Sequence, residues 1–123
     1  MPQGRIEHVN LLVSDIERSS ELFEKLLGWR RRWQGAAMNG GETIHVGEEV
    51  TYLALYSDHK DHAGQTQGRP LNHVGLMVDD LDAAEAVVIG HGLEPFHHGD
   101  YHPGRRFYFL DWDGIEFEVV SYG

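Results

Sequence analysis

The chain repeats itself once. Setting Ile6 to Ile16 over Leu71 to Leu81 aligns His8 with His73, Val9 with Val74, Leu11 with Leu76, Val13 with Val78 and Asp15 with Asp80, five identities in eleven positions. Three further pairs, Ile6/Leu71, Leu12/Met77 and Ile16/Leu81, are conservative. A duplicated unit constrains the fold strongly, because both copies must accept the same order of elements.

In each copy the opening segment alternates as a strand does. Val9, Leu11 and Val13, then Val74, Leu76 and Val78, share one face, and His8 and His73 lie on the other. Ser14 and Glu17 fit a capping box, after which Ile16, Phe23, Leu26 and Leu27 keep helical spacing until Gly28. Asp79 is the expected cap of a second helix that carries Leu81, Ala84, Val87 and Val88 on one stripe and stops at Gly92. Shorter strands follow, at about Arg30 to Gln34, Glu42 to Val46 and Thr51 to Tyr56, then Pro95 to His98, Arg105 to Leu110 and Ile115 to Ser121. Turn residues such as Asn39-Gly40-Gly41, Gly47-Glu48 and Asp113-Gly114 separate them. The expected architecture is α+β: two βαβββ modules whose curved mixed sheets enclose a concave site. Module one spans about 5–57, the linker about 58–70 and module two about 71–122 of one 123-residue domain.

Composition removes several classes of function. With 20 acidic and 10 basic residues the formal net charge is −10, a surface that repels phosphate backbones, so nucleic acid is not an expected partner. The chain has no cysteine, which excludes disulfides, thiolate ligands and thiol nucleophiles and leaves nitrogen and oxygen donors for any metal. No apolar run approaches a membrane span, and Met1 to His8 lacks a signal-peptide core, so the expected location is cytoplasmic. There is no glycine-rich phosphate loop and no G-x-S-x-G elbow.

The nine histidines include two at equivalent places of the repeat. A single histidine on a half-buried strand is more often a satisfied cleft residue than a ligand. The matched pair, and a carboxylate on the corresponding face of the last strand, shift the balance toward a metal site. On that strand Ile115, Phe117 and Val119 alternate with Glu116, Glu118 and Val120, so periodicity leaves both glutamates as candidates. His97-His98 with His102 reads as a polar loop rather than a second metal cluster. Arg30-Arg31-Arg32 reads as solvated charge flanking Trp29 and Trp33.

Three segments, IEHVNLLVSDIERSSELFEKLLGW from Ile6, LNHVGLMVDDLDAAEAVVIGHGL from Leu71 and FYFLDWDGIEFEVV from Phe107, resemble the vicinal oxygen chelate superfamily of glyoxalases, bleomycin-resistance proteins and ring-cleaving dioxygenases. The resemblance implies a glyoxalase-like fold in which His8, His73 and Glu118, four residues after Gly114 of the D-x-D-G turn, hold one divalent metal ion. Glu116 becomes the second choice. Glyoxalase I and related isomerases carry a fourth ligand on the last strand of the first half, where this chain has Ala54. The remaining two-His, one-carboxylate set resembles that of ring-cleaving dioxygenases and of fosfomycin-modifying thiol transferases. Such a set suits Fe(II), then Mn(II), and leaves positions for a chelating substrate.

The stretch His102 to Glu118 also resembles the dioxygenase signature, although its spacer is one residue short and Trp112 replaces a usual proline. It implies that Tyr108 and His102 are catalytic and steer protons. The expected function is a metal-dependent enzyme acting on a small molecule with vicinal oxygens, most like a ring-cleaving dioxygenase. The alternatives are a metal-free binding protein of the bleomycin-resistance kind and a thiol transferase of the fosfomycin-resistance kind. A homodimer is expected, because open sheet edges favour pairing and relatives commonly pair.

Overall fold

A computed structural model describes residues 4–37, 40–60, 71–101 and 104–122. The chain forms two compact units, residues 1–61 and 62–123, each with one helix and one four-stranded sheet. Unit 1 contains β1 (His8–Leu12), α1 (Ile16–Leu27), β2 (Arg30–Ala36), β3 (Glu42–Gly47) and β4 (Tyr52–Ser57). Unit 2 contains β5 (Val74–Met77), α2 (Leu81–Gly90), β6 (Phe96–Tyr101), β7 (Gly104–Leu110) and β8 (Glu116–Ser121). The strand orders are β1-β4-β3-β2 and β5-β8-β7-β6, so the expected βαβββ unit is present twice with identical topology.

In both sheets the first strand runs parallel to the last and the other pairs are antiparallel. The parallel pair needs a crossover, which the intervening helix supplies. In unit 1 that helix covers an apolar face, where Leu22, Phe23, Ile44, Val46 and Leu55 are fully buried. In unit 2 the corresponding face buries Val88, Phe107, Phe109, Phe117 and Val119. Alternation then turns the polar residues of each strand to the opposite face.

The helix caps differ from the sequence expectation by one residue. Asp15, not Ser14, caps α1, its carboxylate accepting from the Arg18 N–H at 3.0 Å. Asp80, not Asp79, caps α2 through the Ala83 N–H at 3.0 Å. In each case two adjacent residues are competent caps, and the one directly before the first helical residue takes the role. A carboxylate there also meets the positive end of the helix dipole. Gly28 ends α1 in the left-handed region at φ 67°, as expected, whereas α2 ends on His91 with Gly92 following at φ 80°.

His97 and His98 do not form a loop. They lie within β6 at a bulge, where the register slips between Phe96/Tyr108 and Gly99/Arg106, and His97 takes φ 52°. Strand β2 is irregular as well, between Arg31 and Trp33. No helix among the described residues is long and apolar enough to cross a membrane.

Candidate metal and ligand site

In unit 2 the site begins with a turn. The buried Asp111 carboxylate accepts from the Asp113 and Ile115 N–H groups at 2.9 Å each, and Gly114 supplies φ 81°. This closes the β7–β8 hairpin in the register that pairs Tyr108 with Glu118, while the parallel neighbour of Glu118 on β5 is Gly75. His73 Nε2 lies 3.2 Å from Glu118 Oε1, and Arg106 Nη1 donates to Glu118 Oε2 at 2.7 Å. Tyr108 presents its ring to His73 edge-on, with centroids 5.8 Å apart.

The other nitrogen of His73 is engaged elsewhere. Nδ1 lies 2.7 Å from the Asn72 carbonyl oxygen Oδ1. Glu116 approaches that same nitrogen, at 4.0 Å, so Glu118 faces Nε2 and Glu116 faces Nδ1. In unit 1, His8 Nδ1 lies 3.0 Å from Glu7 Oε1. Each histidine is thus held at Nδ1 by the side-chain oxygen of the residue before it. An oxygen acceptor there fixes the Nδ1–H tautomer and leaves an Nε2 lone pair, the arrangement of a metal-ligating imidazole.

With Nδ1 bonded to the preceding residue, Nε2 meets Glu118 Oε1 either as the N–H of an imidazolium or as a lone pair that shares a cation with the carboxylate. Ligand atoms about 2.1 Å from one ion and at right angles stand about 3 Å apart, close to the His73–Glu118 separation. The donor set, imidazole nitrogen with carboxylate oxygen, therefore fits a divalent ion. Within neither unit do three His, Asp or Glu side chains gather to hold one, among the described residues. The ligand set expected from sequence takes His8 from unit 1 and His73 and Glu118 from unit 2.

Matching the two sheets by register gives each unit-2 residue a counterpart. Asn10 pairs with Ala54 as Gly75 pairs with Glu118, so Ala54 stands where Glu118 stands. Across the next ladder Ala54 faces His45, as Glu118 faces Tyr108. His45 stacks on Tyr52 at 4.6 Å, and Tyr52 stacks on His8 at 4.9 Å. Burial first, then the charges of His8 and Arg32, push the His45 imidazole below its ordinary value. Burial, then the negative charge of Glu118, push the Tyr108 phenol above its ordinary value, so it keeps its proton at neutral pH.

His102 lies outside the described residues. Sequence reasoning missed Arg106 and His45. Both were accessible to it: Arg106 is two residues from Tyr108 and so shares its face, and His45 alternates with the buried Ile44 and Val46. His97 also reaches this face, 6.2 Å from the Tyr108 ring. Its neighbour His98 is bound to Glu85 of α2.

Comparison with known proteins supplies the family. No curated protein matches the chain. Among solved structures, a glyoxylase/bleomycin resistance protein/dioxygenase domain from Frankia sp. EAN1pec has a TM-score of 0.81 at 21% identity, over 98% of this chain and 93% of that one. The fosfomycin resistance protein FosX from Mesorhizobium loti has a TM-score of 0.75 at 23% identity, covering 100% and 94%. A mutant FosX from Listeria monocytogenes, complexed with Mn(II) and 1S,2S-dihydroxypropylphosphonic acid, has a TM-score of 0.77 at 16% identity, covering 100% and 94%. These likenesses share the fold. The family model of the Glyoxalase/Bleomycin resistance protein/Dioxygenase superfamily matches residues 5–119, and the chain belongs to that superfamily.

Proposed function

We propose that the protein is a metal-dependent enzyme in which His8, His73 and Glu118 hold one divalent ion, Fe(II) or Mn(II), and that it acts on a small molecule presenting two neighbouring oxygens. The observation that carries this reading is the matched state of the two histidines. Each is tied at Nδ1 to the preceding side chain, and His73 Nε2 turns to Glu118. Glu118 is preferred to Glu116 because it faces Nε2.

The ion would act as a Lewis acid toward the two oxygens. The chain's own residues do the rest. Arg106 holds Oε2 of Glu118, which orients the carboxylate and leaves Oε1 toward His73. Tyr108, kept neutral by burial and by Glu118, is a phenolic donor beside both. A substrate that chelates through hydroxyls must give up protons and recover one later, and Tyr108 with His102 are the proposed carriers.

A ring-cleaving dioxygenase is the preferred reaction, supported by the non-ligating methyl group of Ala54 at the place that answers to Glu118 and by Tyr108 opposite Glu118. A fosfomycin-resistance type of reaction is the second reading, supported by the likeness to FosX, one structure of which contains Mn(II) and a vicinal diol. One experiment separates them: the metal content of protein purified without chelator, then turnover of catechols and of fosfomycin by the Fe(II)- and Mn(II)-loaded forms. Catechol cleavage supports the first, fosfomycin modification the second. A protein that binds a ligand but no metal overturns both in favour of sequestration.

A further inference from the structure

The face of unit 1 turned away from α1 carries a cation that makes no ion pair among the described residues. Of the three consecutive arginines, Arg31 points to the helix side and binds Glu17 at 2.8 Å and Glu24 at 3.1 Å. Arg32 lies on the opposite face, with its guanidinium carbon 4.4 Å from the centre of the Tyr52 ring. Its Nη1 is buried and has no hydrogen-bond partner among the described residues, in a chain with twice as many acidic as basic residues. Glu7, the acid placed on this face, is bonded to His8 and Tyr52.

The backbone shapes this face for aromatic contact. A regular strand would turn Trp33 away from Arg32. The bulge between Arg31 and Trp33 instead pairs Trp33 with His45, so Arg32 and Trp33 flank one surface. The Trp33 ring is 5.2 Å from His45, and Trp33 is 51% exposed. It lies across Gly35, where an added Cβ would stand 2.6 Å from the indole, so any larger residue would lift the ring. The result is an exposed indole, a His45–Tyr52 stack and an unpartnered guanidinium N–H on one face.

We propose that this face binds an aromatic carboxylate, with Arg32 taking the carboxylate and the ring packing against Trp33. A buried donor without an acceptor is satisfied by a ligand oxygen, and a planar guanidinium matches a carboxylate. Glu7 nearby disfavours a dianion, which selects a carboxylate over a phosphate. Binding stands on unit 1 alone, and only its meaning, a second anchor for the substrate, rests on the proposed function.

The test is an NMR titration of the metal-free full chain with benzoate, benzyl alcohol and phenylphosphonate. Benzoate should shift Arg32, Trp33, His45 and Tyr52 saturably, and benzyl alcohol should bind at least about tenfold more weakly. Arg32→Gln should weaken benzoate by at least about tenfold, whereas Arg105→Gln, which breaks a surface pair with Asp82, should not change it. Equal binding of benzyl alcohol, unchanged affinity in Arg32→Gln, tighter binding of phenylphosphonate, or the absence of saturable shifts on this face would each overturn the assignment. If Arg32→Gln does not fold, the comparison of benzoate with benzyl alcohol on the parent decides alone. A divalent-ion titration of the same sample reports separately on the metal reading.

Discussion

Ala54 and Glu118 occupy the same place in the two sheets: each lies beside the third residue of its copy's opening H-V-N or H-V-G segment and opposite an aromatic ring on the next strand. Half of the duplicated pair of carboxylate positions is therefore a methyl group. The methylglyoxal–glutathione adduct, whose isomerases carry a ligand there, should not be turned over by the metal-loaded protein. Robust isomerisation in a spectrophotometric assay would refute the argument from Ala54.

The metal assignment predicts that His73→Ala and His8→Ala each abolish binding of one divalent ion by calorimetry, while Glu116→Gln retains it. Undiminished binding in His73→Ala would place the site elsewhere. Loss in Glu116→Gln together with retention in Glu118→Gln would exchange the two carboxylates.

Tyr108 should separate chemistry from ligation. With an iron-loaded parent and a catechol it cleaves, Tyr108→Phe should keep the ion and lower turnover at least about tenfold, the lower end of general acid or base contributions. Unchanged turnover would make Tyr108 a packing residue.

His45 makes stability depend on pH. Its folded-state value lies below the ordinary 6.5, chiefly through burial, so the unfolded chain takes up the proton first as pH falls. The contribution is intact above the ordinary 6.5 and is lost as pH falls from there through the lower folded-state value. Urea unfolding of His45→Gln should therefore lose less stability between pH 8 and pH 5 than the parent. Parallel losses in the two proteins would show that His45 does not carry this dependence.

The cap positions give a direct measure of local structure. Asp15→Ala should cost about 1 kcal/mol in chemical denaturation, and Ser14→Ala distinctly less. The reverse order would restore the capping box read from sequence.

Light scattering should find a dimer, because β1 and β2, and likewise β5 and β6, are edge strands of their own sheets. A sole species of 14.0 kDa would reject this.

The fold was legible because the repeat and the two periodicities agree: Val9, Leu11 and Val13 alternate, and Ile16, Phe23 and Leu26 keep helical spacing, with Leu11, Val13 and those three helical residues buried. Caps were misplaced by one residue since Ser14-Asp15 and Asp79-Asp80 each offer two competent oxygens. The bulges at Arg32 and His97 were not legible. A strand pattern encodes which residues alternate, but not where the ladder admits an extra one. For the same reason the face shared by Arg32, Trp33 and His45 could not be read from the chain. Arg106 was overlooked despite its proper alternation, because attention to metal donors passes over a cation that holds one.

The two sheets also record which positions folding leaves at liberty. Across the matched registers, Leu11 answers to Leu76, Leu53 to Phe117, Leu55 to Val119 and Val46 to Phe109, always apolar for apolar. On the other face the two histidines His8 and His73 match, but Ala54 answers to Glu118, His45 to Tyr108 and Tyr52 to Glu116, each a change of chemistry. Each half keeps its helix-side core through these exchanges, which alter the reactivity of the far face one residue at a time. A gene that doubles such a unit acquires a spare chemical surface without a second fold to maintain, and its descendants can diverge in activity while remaining alike in shape.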